Sequence, residues 1–296
     1  PMRVFVTGDA GFIGSGVVPE LIRAGHTVTG LARSDANIET LTRMGASVMR
    51  GSLEDLDSLK RGAAEADGVI HLAFIHDFAK FAENGQIDKR AIEAMGETLA
   101  GTNKPLVVTS GVGLLTPGRL STEEDIARVG EAIPRVSEHA AFAFATRGVR
   151  VSAVRLPQVH GADGKAGFVG YLHQIAQAKG VSAYIGDGSN RWAAAHRADV
   201  APVYRLAMEK GEAGARYHAV GDEGVRLRDI AEMIGRQLNI PIVSIKPEQA
   251  PEHFGWLALF ASGDAPSSSA LTQQRLGWKP TNIGLIADIS RPGYFS

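Results

Sequence analysis

The sequence predicts an α/β protein built on a doubly wound parallel sheet, and three observations carry that prediction. Short β-branched runs alternate with amphipathic helical patterns through the first half of the chain. Those runs are apolar almost without a break, as strands buried on both faces require. A glycine triplet, Gly8, Gly11 and Gly14, follows the first run directly in VTGDAGFIGSG.

In order, MRVFVTG reads as a strand and 12–24 as a helix; HTVTGLA and 36–44 repeat the pair, as do ASVMRG and 53–63. DGVIHLAF, a helix around 86–101, PLVVTSG and VRVSAVRL, ending at Leu156, continue the series. Repeated strand–helix–strand units of this length imply parallel pairing, because each crossover helix returns the chain to the same edge. Beyond residue 160 the pattern loosens into Gly-rich loops, helices around 168–179, 199–210 and 226–238, and a short strand near 241–245. The expected organisation is a sheet domain over 1–160 and a smaller C-terminal subdomain over 161–296, some segments of which return to the sheet.

Composition narrows the partners. The 296 residues are 44% hydrophobic and 21% charged, with 31 basic and 32 acidic side chains and a formal charge of −1. No basic excess is available to track a phosphate backbone or an anionic lipid, so neither nucleic acid nor membrane is expected as a partner. There is no cysteine, which removes disulfides, thiolate nucleophiles and Cys-based metal sites together. No run approaches the roughly 20 apolar residues of a spanning helix, and the chain enters a strand pattern without a signal-peptide core. Pro1 ahead of Met2 reads as an expression remnant, and a cytoplasmic enzyme or binding protein is the expectation.

The glycine triplet sits between a strand and a helix, where backbone N–H groups and the positive helix end converge on a phosphate. Gly8 permits the tight turn, Gly11 lets a pyrophosphate approach the backbone, and Gly14 lets helix and strand pack closely. This context predicts a dinucleotide. An NAD binder carries Asp or Glu at the end of the second strand to accept from the ribose 2′-hydroxyl. Here that position reads Leu31-Ala32-Arg33-Ser34, a guanidinium and a hydroxyl in place of a carboxylate. The pair suits a 2′-phosphate and hence NADP; the alternative is a solvated Arg33, with Asp35 doing the acidic residue's work and NAD as the cofactor.

With TGDAGFIG, VIHLAF, VVTSG, VRLPQVHG, GDGSNRWAAAHRADVA and RLGWKP in this order, the chain resembles the extended or atypical short-chain dehydrogenase/reductase superfamily. More narrowly it is similar to the NAD(P)-dependent epimerase/dehydratase branch. The resemblance covers nearly the whole chain and implies a Rossmann-type domain with a small C-terminal substrate domain. It places Gly8, Gly11, Phe12, Ile13 and Gly14 on the pyrophosphate, Arg33 and Ser34 on the adenosine ribose, and Ser52 and Leu53 beside the adenine. Leu72, Ala73 and Phe74 fall near the nicotinamide ribose, and Pro157, Gln158 and Val159 against the nicotinamide.

The family's chemistry comes from a Tyr-x-x-x-Lys pair with a Ser or Thr from the preceding strand end. Anchoring SEHAA at 137–141 on the acidic position that follows the pair puts the Tyr and Lys slots at Gly130 and Pro134, neither of which titrates. Tyr171, Tyr184, Tyr204, Tyr217 and Tyr294 all lack a Lys four residues on. In VVTSG the hydroxyl position aligns with Ser110 or with Gly111. The resemblance therefore implies a cofactor site with an unusual or absent acid/base.

Replacement chemistry has several candidates. Ser110 lies at the crevice where open α/β sheets bind ligands, or else serves a strand-end backbone group. His160 in LPQVHG titrates near neutrality, although the family's slot before glycine is often aromatic and structural. Tyr184, Arg191 and Trp192 share the Gly-rich loop that contacts substrate in the family and can clamp an anionic or aromatic group; Trp192 can equally cover the core. Phe74, His76 and Asp77 lie where a substrate reaches them, whereas His71 reads as packed. Lys165 is an ordinary solvated loop lysine unless it swings into the site. His196 and Asp199 resemble the family's architectural His-x-x-Asp segment, and without a third ligand or an HExxH motif no metal site is expected. HFGWLALFASGD at 253–264 reads as ordinary core, a lid over an apolar pocket or the contact face of a homodimer.

The function these readings support is hydride transfer between NADP and a small organic carbonyl or alcohol, with a non-standard proton relay. Reduction of C=C or C=N, in which substrate or water supplies the proton, is the alternative within the fold. A catalytically inactive NADP(H) sensor is the alternative outside enzymes. Sugar-nucleotide epimerisation needs the acid/base cycle that the chain lacks.

Overall fold

The structure is a computed structural model describing residues 1–73, 81–127, 136–162 and 164–296. The chain divides into two compact units. The first comprises 1–110, 127–155 and 201–217, and the second 111–126, 156–200 and 218–296, so that the chain passes between them repeatedly.

The first unit holds the sheet. Its strands are β1 (Arg3–Thr7), β2 (Thr27–Ala32), β3 (Ser47–Arg50), β4 (Gly68–His71), β5 (Pro105–Gly111), β6 (Arg150–Leu156) and, out of numerical turn, β10 (Ala215–His218). Their order is β10-β6-β5-β4-β1-β2-β3, a Rossmann-type α/β arrangement. The pairs β1/β2, β1/β4, β2/β3 and β4/β5 are parallel, with Val4 opposite Val28 and Gly68. These five strands therefore end at one edge of the sheet, and the segments that follow them start there.

Helices α1 (Gly14–Arg23), α2 (Asp35–Met44), α3 (Leu56–Glu65) and α4 (Phe81–Leu99) make the crossovers, followed by the short α5 (Ser137–Phe142). Local chemistry fixes their ends. Ser34 accepts from the Asn37 amide at 3.1 Å and starts α2, which Gly45 closes at φ +92°. Asp55 accepts from the Ser58 amide at 3.3 Å, so α3 begins three residues later than the apolar periodicity suggests. Phe5, Leu59, Ile92, Met95, Leu106 and Phe144 are central in the core between sheet and helices.

The second unit carries β7 (Gln158–His160), β8 (Ser182–Ile185), β9 (Arg191–His196), β11 (Asp222–Arg226) and β12 (Ile242–Ile245). They form a three-stranded sheet β11-β9-β7 and a parallel pair β12/β8. Around them lie α6 (Gly167–Lys179), α8 (Leu227–Leu238), α9 (Ala250–Phe254), α10 (Ala258–Ser262), α11 (Ala270–Leu276) and α12 (Leu285–Ile289); α7 (Arg197–Lys210) runs from this unit into the first. The stretch 253–264 is part core and part surface: Phe254, Leu257 and Ala261 are buried, while Trp256 is 39% and Leu259 53% exposed. No helix among the described residues is long and apolar enough to cross a membrane.

Candidate active site

The glycine turn is built as a cradle. Gly8 has φ +72°, open to glycine at little cost, and a Cβ there would lie 2.5 Å from the Ala73 amide nitrogen. At Gly14 a Cβ would lie 2.4 Å from the carbonyl oxygens of both Gly8 and Asp9. Any side chain at either position would push the turn off β4 or off α1. Helix α1 starts at Ile13 without a side-chain cap and without an acidic residue in its first turn. Its Ser15 and Gly16 amides already donate to the Gly11 and Ile13 carbonyls, at 2.8 and 3.0 Å, so what the helix start offers an anion is the positive end of its dipole, unopposed by any acidic side chain of that turn. A dinucleotide's pyrophosphate fits this chemistry, and a capped or acidic helix start would not.

The other residues of the first unit expected at a cofactor follow the ends of neighbouring strands. Arg33 and Ser34 are exposed immediately after Ala32, the last residue of β2. Ser52 and Leu53 are half-buried after β3, where the Gly51 amide donates to the Ala32 carbonyl at 3.2 Å. Leu72 is buried, and the Ala73 amide donates to Thr7 Oγ1 at 3.3 Å. Phe74, His76 and Asp77 lie outside the described residues, as do Gly130 and Pro134.

Beneath these strand ends runs a buried hydrogen-bonded chain. Thr7 Oγ1 meets His71 Nδ1 at 2.6 Å, His71 Nε2 meets Asp88 Oδ1 at 2.7 Å, and the Ser137 hydroxyl donates to Asp88 Oδ2. With Asp88 ionised, His71 donates from Nε2 and accepts the Thr7 hydroxyl proton at Nδ1, which leaves Thr7 Oγ1 to accept from Ala73. The Thr109 hydroxyl adds a bond to the His71 carbonyl at 3.0 Å.

Ser110 is half-buried at the end of β5 and hydrogen-bonds Glu138. Burial works to raise the Glu138 carboxyl, but bonds from Arg155 Nε at 2.9 Å and Nη2 at 2.8 Å outweigh it and hold the group below its ordinary range. Arg155 is fully buried, so this is an ion pair out of water.

In the second unit Gln158 is buried; its Oε1 accepts from the Phe168 amide at 3.1 Å and its Nε2 donates to the Val159 carbonyl at 3.0 Å. Pro157 is half-buried and Val159 buried beside it. His160 is 1% exposed, with Nδ1 on Asp288 Oδ2 at 2.6 Å and Nε2 lacking any partner. Burial lowers its pKa against the raising effect of Asp288. Asp288 is also bonded by Arg291 at 2.8 Å, and bonds from both partners overcome burial and keep it ionised. The His196 ring stands edge-on to His160 with centroids 5.4 Å apart. The arrangement is a neutral imidazole oriented by a carboxylate and sealed from water.

The residues expected to contact substrate, Tyr184, Arg191 and Trp192, are largely committed within the unit. Arg191 grips Asp264 through Nε and Nη2, each at 2.9 Å. Trp192 is buried, donates from Nε1 to the Phe260 carbonyl at 2.9 Å and packs on Phe168. Tyr184 is half-buried under the Arg228 guanidinium, 5.1 Å from its ring centre. Lys165 is exposed. Asp199 accepts amides from Thr281 and Asn282, each at 3.0 Å, a structural role. No cluster of three or more metal-ligating side chains occurs among the described residues.

The sequence pattern of the NAD dependent epimerase/dehydratase family matches residues 4–107, the segment that carries the cradle. A protein of Schizosaccharomyces pombe of uncharacterized function is 52% identical over 99% of this chain and 100% of its own. The chain belongs to the NAD dependent epimerase/dehydratase family. A more distant relative is a ketoreductase of Stigmatella aurantiaca acting on 4-hydroxy-2-methyl-3-oxo-4-farnesyl-3,4-dihydroquinoline-1-oxide, 25% identical over 90% of this chain and 84% of its own. A solved nucleoside-diphosphate-sugar epimerase from Pseudomonas aeruginosa shares the fold with a TM-score of 0.76 at 17% identity, over 99% of each chain. Membership makes the protein an oxidoreductase-type enzyme working with an NAD(P) nucleotide.

Three side chains now prominent had no part in the reading of the sequence. Asp9 is 2% exposed inside the cradle, and its Oδ2 has no partner. Asp88 and Asp288 anchor the two buried histidines. The available signal was an acid inside an otherwise apolar or glycine-rich stretch, as in TGDAG and LIADI, since lone carboxylates are seldom fully buried without a reason.

Proposed function

We propose that the protein is an NADP-dependent oxidoreductase that moves a hydride to or from a small organic carbonyl or alcohol, with a proton source other than a Tyr-Lys pair. The end of β2 carries the cofactor choice: Thr27–Ala32 contains no carboxylate, and Arg33 stands exposed right after it. A guanidinium there answers a 2′-phosphate with charge-assisted bonds. Ser34 Oγ already accepts from the Asn37 amide and keeps its own hydrogen to donate. Asp35, the alternative acidic residue, opens α2, where its charge suits the helix dipole.

When bound, the nicotinamide supplies or accepts the hydride. The chain's part is to hold the pyrophosphate on the Gly8–Gly14 turn, the 2′-phosphate on Arg33, and the substrate oxygen near a hydroxyl. Ser110 suits that last task, being half-buried at the strand end and oriented by Glu138. His160 suits it less, since its bare Nε2 is buried away from solvent. The ketoreductase name of the Stigmatella relative supports a carbonyl substrate.

The test is absorbance at the NADPH band across aldehydes, ketones, enones and imines, with NADH in parallel. Oxidation of NADPH is expected with a carbonyl. Arg33→Asp should weaken NADPH use by about 10–100-fold, the worth of a lost charge-assisted bond. Preference of the unaltered protein for NADH would overturn the role given to Arg33. Tight binding of both dinucleotides with no turnover on any substrate class would replace the reductase with a redox-state sensor.

A further inference from the structure

The cradle contains a group that the dinucleotide reading does not use. Asp9 follows Gly8 in the turn, is 2% exposed, and turns its carboxyl over β2. A Cβ placed on Gly30 would lie 1.8 Å from Asp9 Oδ2 and 2.8 Å from Leu41 Cδ1, so the carboxyl fills the space that a side chain at 30 would occupy. It lies between a glycine of β2 and a leucine of α2, and Oδ2 is without any hydrogen-bond partner. A buried carboxylate in that condition is costly, and a neutral carboxylic acid much less so.

We propose that Asp9 makes dinucleotide binding proton-linked: the carboxyl takes up a proton as the negatively charged diphosphate settles on the turn that carries it. The inference rests on the reading of this turn as the dinucleotide site. An anion on the turn adds like charge beside a group already short of solvation and hydrogen bonds, so the acid form is favoured further. Burial alone has moved the carboxyl from 3.8 to about 7, against the opposing backbone bonds at Asp9 and Ala10, so the proton is in play near neutrality.

Charged neighbours do not account for this. The ionisable groups on the surrounding elements are Arg3 before Val4 in β1, Glu20 and Arg23 on α1, Arg33 after β2, Asp35, Glu39 and Arg43 on α2, and His71 at the end of β4. Arg3, Arg23, Arg33, Asp35, Glu39 and Arg43 are exposed, Glu20 is bonded to Arg205, and His71 is bonded to Thr7 and Asp88. None of them is among the causes of the Asp9 shift.

The consequence is a residue that sets which charge state of the site accepts the cofactor. Above neutrality the dinucleotide must bring a proton with it, and its dissociation constant should rise by up to about tenfold per pH unit, the limit for one linked proton. Below pH 6 the acid is already protonated and the dependence on this group vanishes.

Titration calorimetry of NADP⁺ into the full chain, at pH 6, 7, 8 and 8.5 in HEPES, PIPES and Tris buffers of different ionisation heat, measures the protons taken up. Uptake is expected to grow from near zero at pH 6 towards one at pH 8.5, a range in which the 2′-phosphate, with its second pKa near ~6, contributes progressively less. In Asp9→Asn the uptake at pH 8.5 should disappear and the affinity should become flat from pH 7.5 upward. Should Asp9→Asn fail to fold, an infrared difference spectrum of the unaltered protein on adding NADP⁺ at pH 8.5 replaces it, with a new protonated-carboxyl C=O band expected. Binding without proton uptake, unchanged uptake in the variant, or no such band overturns the role of Asp9 while leaving the cofactor assignment intact. Failure of both NADP⁺ and NAD⁺ to bind overturns the cofactor assignment itself.

Discussion

At the end of β5 the Glu138 carboxylate is held by two bonds from Arg155, at 2.9 and 2.8 Å, and by Ser110; at the end of β1 the equally buried Asp9 carboxyl leaves one oxygen with nothing. Both groups belong to the same unit and both are almost sealed from water. The first is spent on architecture: its charge is neutralised by a guanidinium that is itself fully buried, and α5 is tied to β6 as a result. The second holds an unmet demand at the place where a ligand is expected. A saturated buried charge reports what holds a fold together, and an unsaturated one requires an explanation of its own.

The comparison breaks most sharply at Glu138. Glu138→Gln leaves Arg155 buried without its counter-charge, and a loss of about 3–5 kcal/mol of stability is expected in denaturant titration. A loss below ~1 kcal/mol would show that water reaches the pair.

The second effect in size is the pH dependence of Asp9. Below pH 3.8 the carboxyl is protonated in folded and unfolded chains alike. Between 3.8 and about 7 the unfolded chain releases the proton and the folded one keeps it, so stability falls as pH rises through that window and levels off above it. The shift corresponds to at most on the order of 4 kcal/mol. Asp9→Asn should remove this fall, so that the variant gains on the unaltered chain between pH 5 and pH 8. Parallel melting curves of the two proteins across that range would refute the orphaned carboxyl.

The smallest effect sharpens the comparison from the exposed side. Ser34 both caps α2 and adjoins the expected ribose site, and Ser34→Ala should cost about 1 kcal/mol of stability through the lost cap. A change in NADP⁺ affinity beyond the stability loss, read by calorimetry, would assign its hydroxyl to the cofactor as well.

What the sequence made legible follows from the physics of each part. The strands β1 to β6 are apolar runs with crossover helices between them, so period and turn chemistry agree and the first half is readable. The second unit's strands were mostly missed because they are three to six residues long, and β9 is RWAAAH, whose alanines carry little strand preference. The cradle was legible because glycine spacing is a local signal. The partners of His71 and His160 were not, because Asp88 is 17 residues away and Asp288 is 128 residues away, distances over which only the folded chain makes the pairing. Trp192 and Arg191 show the converse: a residue pair that suits a substrate clamp is occupied by Phe260 and Asp264, more than sixty residues on.

The contact between Asp9 and Gly30 also constrains how this protein can change over time. While Asp9 stands, position 30 admits no side chain, since even a methyl group would fall 1.8 Å from its oxygen. An alanine at 30 needs room from position 9 first and from Leu41 as well, whose Cδ1 would lie 2.8 Å from the new methyl. The two sites, 21 residues apart, are therefore coupled through this contact: a side chain at 30 displaces the carboxyl at 9. A lineage that relinquishes the acid in the cradle is also the one that can begin to rebuild the floor beneath it.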